Sequence, residues 1–359
     1  MAVRKPFLVK CIAILIIVFA GLLLLEGMGQ VLFRIRHHYW LFGHDDAAYI
    51  TLFKKHPYLV VEQRPDARFT SKDGITFSHN SIGARGKEIN VLKKDNVKRV
   101  LALGGSSTYC IGVSDNRTWP YFLQEKLGNG YEVVNFGVPG YTTVEHIIQT
   151  ALNISDLSPD ICIYYVGWND IRNVHVANLR SDYSGFHGKS QYNHLMLGAL
   201  KIGNHSVIAR TMANVLTKIF IRDPEGVFTV KGTADKFTAK TDERALSLYK
   251  RNIRLLISLC RAQGVKPVMA PQVLRYDMLT GDKEYEWIPY LKDKDIKAVM
   301  RIYNDALREV CAAEKVDFIE EVLQVHYDKS YFIDSYGHFT PYGNEQFAGI
   351  IAQYLKKHP

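Results

Sequence analysis

The chain of 359 residues has little cysteine and no long run of basic residues. Its five cysteines are an odd number, lack paired spacing and form no CxxC motif, which excludes a disulfide framework and a cysteine metal site as the basis of the fold. The formal net charge is +9, yet no stretch of Lys and Arg is long enough to indicate a nucleic-acid partner. The sequence also lacks internal repeats and low-complexity segments. Its 47% hydrophobic content therefore predicts an ordinary globular protein.

The N-terminal segment differs from the rest of the chain. Three basic residues precede an apolar run from 11 to 33, which Glu26 and Gln30 interrupt. As a helix this run would be about 34 Å long, enough to cross a bilayer. The preceding positive charge favours a cytoplasmic N-terminus and a single-pass anchor. A cleaved signal peptide is the alternative, with residues 27–29 as a poor cleavage site. Either way we expect the bulk of the chain to be periplasmic or extracellular.

From residue 98 onward the hydrophobic pattern alternates between strands and helices. Strands are predicted at 98–104, 131–136, 161–166, 265–270 and 316–319, and helices at 118–127, 142–157, 246–260, 299–310 and 347–354. This order predicts an α/β fold, a three-layer sandwich around a mainly parallel sheet.

The same pattern suggests a division of the chain into an anchor, a lead-in region and one main domain. We expect a cytoplasmic tip and anchor at 1–36, a juxtamembrane lead-in at 37–97 and the main domain at 98–359. The main domain carries an insertion at 171–240, of which the second half, 195–221, is apolar and helix-like.

The first predicted strand ends in a turn rich in glycine and hydroxyl residues. Gly104 and Gly105 break the strand, and Ser106, Ser107 and Thr108 follow where the chain turns toward a helix. Ligands bind at the carboxyl ends of strands in open α/β sheets, so Ser106 is a candidate nucleophile on a tight turn. The alternative is a Gly-Ser loop that merely caps a helix.

Polar groups also follow the second and third predicted strands, and a further polar cluster at 334–338 precedes the last predicted helix; all of these can converge on one edge of the sheet. His338 is the candidate base that a serine nucleophile needs, and Asp334 is the candidate group that orients its imidazole. The backbone N–H groups of Ser106 and Gly140 and the side-chain amide of Asn169 are candidate donors to an oxyanion. Taken singly, Gly140 is also typical of a turn, Asn169 of a helix cap, and His338 of a structural histidine.

Together these segments resemble the SGNH (GDSL-like) hydrolase superfamily, in particular its membrane-anchored bacterial members. The four blocks of that family are matched, in order, by 104–108, 135–143, 167–170 and 334–344. The resemblance covers about residues 75–356 and implies a three-layer α/β/α fold without a metal or an organic cofactor. It also implies Ser106 as nucleophile, His338 as base, and Ser106, Gly140 and Asn169 as the oxyanion hole.

Two positions depart from the family pattern. Gly105 replaces the usual Asp of the first block. In the last block three residues, rather than two, separate Asp334 from His338.

The resemblance implies a serine esterase that hydrolyses an O-acyl ester, with an acylated or acetylated carbohydrate or small molecule as the expected substrate. Two alternatives use the same fold. In an acyltransferase, a sugar hydroxyl would replace water as the acyl acceptor, and the insertion at 171–240 would shape the acceptor groove or lie on the membrane. In a binding module, the site would hold a ligand without catalysis.

Overall fold

A computed structural model of the protein describes residues 4–37, 40–41, 51–184, 205–220, 231–285 and 287–358. The chain forms two compact units. The anchor unit comprises Met1–Ile50 and Tyr192–Pro224, and the sheet unit comprises Thr51–Gln191 and Glu225–Pro359. Residues 51–97 thus belong to the same unit as the sheet, while the predicted domain boundaries stay a prediction.

The described chain contains eight α-helices and nine strands, besides short 3-10 and π turns. In chain order they are α1 (Arg4–His37), β1 (Phe53–His56), β2 (Val60–Gln63), β3 (Arg68–Thr70), β4 (Thr76–Ser78), β5 (Lys98–Gly104), α2 (Ser106–Tyr109), α3 (Trp119–Leu127), β6 (Tyr131–Asn135), α4 (Thr143–Ile148), β7 (Ile161–Tyr165), α5 (Val207–Phe220), α6 (Glu243–Ala262), β8 (Lys266–Ala270), α7 (Ile296–Glu314), β9 (Asp317–Phe318) and α8 (Pro341–Lys357).

The sheet unit is organised around a five-stranded parallel sheet with the order β6-β5-β7-β8-β9. The chain enters at β5, pairs β6 on one side and then crosses to β7 on the other. Strand order reverses between β5 and β7, and an open α/β sheet forms its ligand crevice at such a point. This topology confirms the predicted α/β class and its mainly parallel sheet.

Helices cover both faces of the sheet because the side chains of its buried strands alternate between two apolar cores. Leu101 and Leu103 of β5 join a core that includes buried residues of α6 and α7, such as Ile253. Val100 and Ala102 of the same strand join the opposite core, to which α3 and α8 contribute. The three-layer prediction is therefore confirmed.

Helix α3 begins and ends where the local sequence predicts. The Thr118 side chain accepts a hydrogen bond from the Tyr121 backbone at 3.3 Å, and Gly128 ends the helix with φ +76°. The predicted helix at 142–157 is wrong in its extent. Thr142 is the N-cap of α4, which ends at Ile148, and the backbone continues as a π turn and a separate 3-10 turn.

Residues 53–78 form two antiparallel hairpins, β1–β2 and β3–β4, for which the sequence pattern gave no prediction. Their strands have three or four residues each, too short for a clear period-2 pattern. The last predicted strand, 316–319, is shortened to β9.

The anchor unit contains α1, which includes the apolar stretch Val9–Ile35 with a mean hydropathy of 2.6. Such a helix is long enough to span a membrane, and both anchors and signal sequences have this character. The unit also contains α5, which lies within the predicted helix-like part of the insertion. Residues 195–204 and 221 of that prediction lie outside the described residues.

Candidate active site

The candidate nucleophile lies on the turn that joins β5 to α2. Ser106 is the first residue of α2, so its N–H takes no part in the helical hydrogen bonds. Gly104 packs closely here, since a Cβ on it would lie 2.2 Å from Thr108 Oγ1 and 2.5 Å from Tyr165 O. The glycine therefore lets the turn sit directly against β7 and the first turn of α2.

His338 lies within hydrogen-bond distance of two other predicted site residues, one on each of its ring nitrogens. His338 Nε2 lies 2.8 Å from Ser106 Oγ, and His338 Nδ1 lies 2.6 Å from Asp334 Oδ2. The His338 side chain is 12% exposed and that of Asp334 is 32% exposed. Because each ring nitrogen has its own partner, the carboxylate favours the tautomer in which Nδ1 donates to Asp334 and Nε2 faces the serine.

The loop accommodates the extra residue between Asp334 and His338 through its own hydrogen bonds and backbone conformation. Asp334 Oδ1 accepts from the backbone N–H groups of Tyr336 at 2.9 Å and His338 at 3.3 Å. Gly337 adopts φ +83°, and a Cβ there would lie 2.8 Å from Leu274 Cδ2. The Ser107 hydroxyl donates to Gly337 O at 2.9 Å and so ties this loop to α2. The longer spacing thus still delivers the carboxylate to the imidazole.

The segments that carry the predicted oxyanion donors reach the same turn, because Asn169 and Tyr141, the residue after Gly140, line one cavity with Ser106. Asn169 is 5% exposed, and its Nδ2 donates to Tyr141 O at 2.8 Å, which leaves its second N–H available because an amide nitrogen carries two. This amide crowds Gly105, where a Cβ would lie 2.6 Å from Asn169 Nδ2. Gly140 adopts φ +84°, a conformation that favours glycine.

The buried side chain of Asp170 is hydrogen-bonded in a way that joins the segments that carry Gly140 and Asn169. Thr143 Oγ1 donates to Asp170 Oδ1 at 2.5 Å, and Asn252 Nδ2 of α6 donates to Thr143 Oγ1 at 2.9 Å. Burial raises the pKa of Asp170 to about 7, and the Thr143 hydrogen bonds oppose this rise. The network fixes where β7 ends relative to α4, and with it the Asn169 amide.

Arg85 holds the chain that follows the nucleophile. Its guanidinium is 1% exposed and donates to the carbonyls of Tyr109, Cys110 (2.8 Å) and Val113 (2.6 Å), while it pairs with Asp115 at 2.8 Å. Sequence analysis missed this role because those carbonyls lie 24 to 28 residues away.

A small cavity opens beside Ser106, with a volume of about 10 Å³. Its walls include Tyr141, Trp168 and Asn169, and also Gln272, which sequence analysis did not single out. Gln272 follows β8, so the rule that sites form at the carboxyl ends of strands also applies to it.

No group of three His, Cys, Asp or Glu side chains with the arrangement of a metal site occurs among the described residues. The expectation of a metal-free site stays a prediction. Cys110, four residues after Ser106, is buried, and burial raises the pKa of its thiol to about 12. A thiol with such a pKa is a poor nucleophile near neutral pH.

The sequence profile of the GDSL-like lipase/acylhydrolase family matches residues 102–346. The chain therefore belongs to this family, which confirms the resemblance to the SGNH superfamily and makes the protein an ester-hydrolysing enzyme. The matched range includes all the predicted site residues.

Solved structures with similar folds include three enzymes that are distant in sequence. A GDSL-like lipase from Bacteroides thetaiotaomicron is 16% identical, with a TM-score of 0.44 over 76% of this chain and 93% of that chain. A lipase/acylhydrolase from Enterococcus faecalis is 14% identical, with a TM-score of 0.42 over 73% and 97%. An acetyl xylan esterase is 14% identical, with a TM-score of 0.42 over 72% and 99%. A search of curated proteins finds no match.

Proposed function

We propose that the protein hydrolyses a short O-acyl ester of a carbohydrate outside the cytoplasm, through an acyl-enzyme on Ser106. The observation that carries this proposal is the continuous hydrogen-bond line from Ser106 Oγ through His338 to Asp334, with distances of 2.8 Å and 2.6 Å. A serine hydroxyl barely ionises at neutral pH, so an adjacent base is the feature that makes it a nucleophile.

In the proposed reaction, His338 takes the Ser106 proton while Oγ attacks the ester carbonyl. The tetrahedral intermediate collapses, and His338 passes the proton to the leaving alcohol oxygen as the ester bond breaks. A water molecule then attacks the acyl-enzyme, again with His338 as base. The carboxylic acid leaves and Ser106 regains its proton. Asp334 orients the imidazole and stabilises its charged form throughout.

The negative oxygen of each tetrahedral intermediate needs preorganised donors. The N–H of Ser106, the N–H of Gly140 and the free N–H of Asn169 Nδ2 are the donors we assign. Support comes from the buried Asn169 amide at the mouth of the Ser106 turn. Removing one such donor typically costs about 10²–10³ in turnover.

The cavity beside Ser106 is small, and a short acyl group such as acetyl is the acyl part that demands the least room there. The cavity volume of about 10 Å³ is close to what a single water molecule requires.

The partly buried Tyr336 ring beside His338 supports a carbohydrate as the alcohol part, and the buried rings of Tyr285 and Trp168 pack behind it. The Tyr336 ring stacks near His338 at 6.1 Å, Tyr285 lies 5.5 Å from Tyr336, and Trp168 lies 5.8 Å from Tyr285. Binding sites commonly combine such rings with a few polar groups that orient the ligand.

Contacts within the anchor unit support α1 as a retained anchor rather than a cleaved signal peptide. The Glu26 carboxylate accepts from the backbone N–H groups of Val207 at 2.8 Å and Ile208 at 3.0 Å, where α5 begins. Gln30 Nε2 donates to His205 O at 3.0 Å. Cleavage at 27–29 would remove Glu26 and leave the first N–H groups of α5 without their acceptor. We therefore expect the exported protein to keep its original N-terminus, which intact-mass measurement of the membrane fraction would test.

The activity is tested with the full chain in detergent and p-nitrophenyl acetate as substrate. We expect hydrolysis by the wild type, and loss of at least about 10³-fold in Ser106→Ala and in His338→Ala. Ser247→Ala, at an exposed serine of α6, is the matched control and should keep full activity. A Ser106→Ala variant with wild-type turnover would contradict the proposal. Product analysis with and without an added polysaccharide separates hydrolysis from acyl transfer.

A further inference from the structure

Gln272 is a buried polar residue whose side chain faces the cavity beside Ser106. The residue is 2% exposed and lines the same cavity as Trp168 and Asn169. Its Nε2 has no hydrogen-bond partner anywhere in the part of the chain that the structure describes. Buried donors without a partner are rare in folded proteins because they lose their hydrogen bonds to water. Because Gln272 lines a cavity, a ligand bound there could supply the acceptor that its Nε2 lacks.

The backbone of Gln272 is held independently of its side chain. Its N–H donates to Asn304 Oδ1 at 3.0 Å, and Asn304 Nδ2 donates back to Gln272 O at 2.8 Å. The next residue, Val273, donates its N–H to the Tyr165 hydroxyl at 3.2 Å. These contacts fix the backbone that carries the carboxamide, and a substitution that alters only the Gln272 side chain leaves them intact.

The position of the carboxamide shows which half of an ester it would meet. A Cβ built on Gly337 would lie 3.6 Å from Gln272 Nε2, so the amide lies beside the residue that precedes His338. His338 protonates the leaving oxygen, and the alcohol part of the ester must therefore lie on the His338 side. Of the oxyanion donors, Ser106 and Gly140 follow β5 and β6, the strands farther from β8, while Asn169 follows β7 beside it.

We propose that the Gln272 carboxamide donates a hydrogen bond to an oxygen of the alcohol part of the substrate and so selects polyhydroxylated alcohols over plain ones. This assignment rests on the proposed esterase function. A site that hydrogen-bonds a substrate oxygen discriminates against an alcohol that lacks it, because its buried donor is then left unpaired. Gln272 is thus a specificity-determining residue for the carbohydrate part.

The test compares two acetate esters of a CH₂ group on a six-membered ring, methyl 6-O-acetylglucoside, which carries ring hydroxyls, and cyclohexylmethyl acetate, which carries none. We expect Gln272→Leu to lower the ratio of kcat/KM for the sugar ester over the cyclohexyl ester roughly tenfold. Gln272→Glu, which keeps the shape but removes the donor, should lower the ratio in the same direction. Gln324→Leu, at an exposed position, is the matched control and should leave the ratio unchanged. An unchanged ratio in both Gln272 variants would overturn the assignment.

A binding measurement separates this assignment from the esterase function. In the Ser106→Ala background, calorimetry with methyl 6-O-acetylglucoside reports binding without turnover. We expect the added Gln272→Leu change to weaken binding roughly tenfold. If the wild type hydrolyses neither ester, the proposed function fails, but weaker binding in the double variant still supports the role of Gln272. Equal binding with and without the Gln272 change, or no binding in either protein, would overturn it.

Discussion

Gly105→Ala gives a sharp test of how the proposed oxyanion donor, the Asn169 amide, is positioned. A Cβ at this position would lie 2.6 Å from Asn169 Nδ2, whereas ordinary contacts begin near 3.4 Å. The amide would therefore have to move by about 1 Å, a displacement that can lower a rate about 10²-fold when it misplaces a catalytic group. We expect kcat for p-nitrophenyl acetate to fall by about 10², with a much smaller change in thermal stability.

A control variant and a double variant show whether the fall in kcat is caused by displacement of the Asn169 amide. Gly130→Ala is the matched control, because a Cβ there meets no described atom within 4 Å. In an Asn169→Ala background, Gly105→Ala should cost little more, since the donor it displaces is already gone. If Gly105→Ala lowers kcat equally with and without Asn169, the steric reasoning is refuted.

Three further predictions concern the groups that support the site. Asp334→Asn should lower kcat about 10²–10⁴-fold by disturbing the tautomer of His338. Asp328→Asn, at an exposed turn, is the control and should leave kcat unchanged. Equal activity in the two variants would contradict the role of Asp334. Burial raises the pKa of Asp170 to about 7. Between about pH 4 and pH 7 this carboxyl group is therefore protonated in the folded state and ionised in the unfolded state. As the pH rises through that window, the free energy of unfolding should fall by up to ~1.4 kcal/mol per pH unit. Asp170→Asn should flatten this pH dependence, as measured by urea unfolding. An unaltered pH dependence would contradict the raised pKa of Asp170. Arg85→Leu should lower the free energy of unfolding by ~3 kcal/mol, since it leaves buried carbonyls and a carboxylate unpaired. Arg301→Leu, at a side chain that is 85% exposed, should change it little. Equal losses of stability in the two variants would contradict the structural role of Arg85.

The sequence predicted the elements whose signals are local. The apolar run before Gly104 defines β5, and Thr118 and Gly128 define the ends of α3, because a cap or a buried strand depends on residues a few positions apart. The α/β class followed from the alternation of such elements. The family blocks then identified the residues that the fold brings together at one edge of the sheet.

The spacing of the last block illustrates what local patterns do not contain. Three residues between Asp334 and His338 depart from the family pattern, yet the carboxylate still reaches the imidazole. The loop achieves this through the left-handed conformation of Gly337 and two backbone hydrogen bonds to Asp334. Such a solution depends on the conformation of the whole loop.

The role of Arg85 and the role that we propose for Gln272 were missed because both depend on partners far away in the sequence. Arg85 donates to carbonyls that follow α2, and the Gln272 backbone is held by Asn304 of α7. Arg85 lies in the turn-rich segment 80–86, which gives no sign of its distant partners, and Gln272 lies in none of the family blocks.

The most direct test of the account is to identify the residue that a fluorophosphonate labels in the full-length protein. Mass spectrometry of the labelled protein should find a single phosphonylated residue, Ser106. Labelling should be absent in Ser106→Ala and retained, at a lower rate, in Ser107→Ala. A label on Ser107, or no label on a folded wild-type protein, would contradict the claim that Ser106 is the nucleophile of an ester hydrolase.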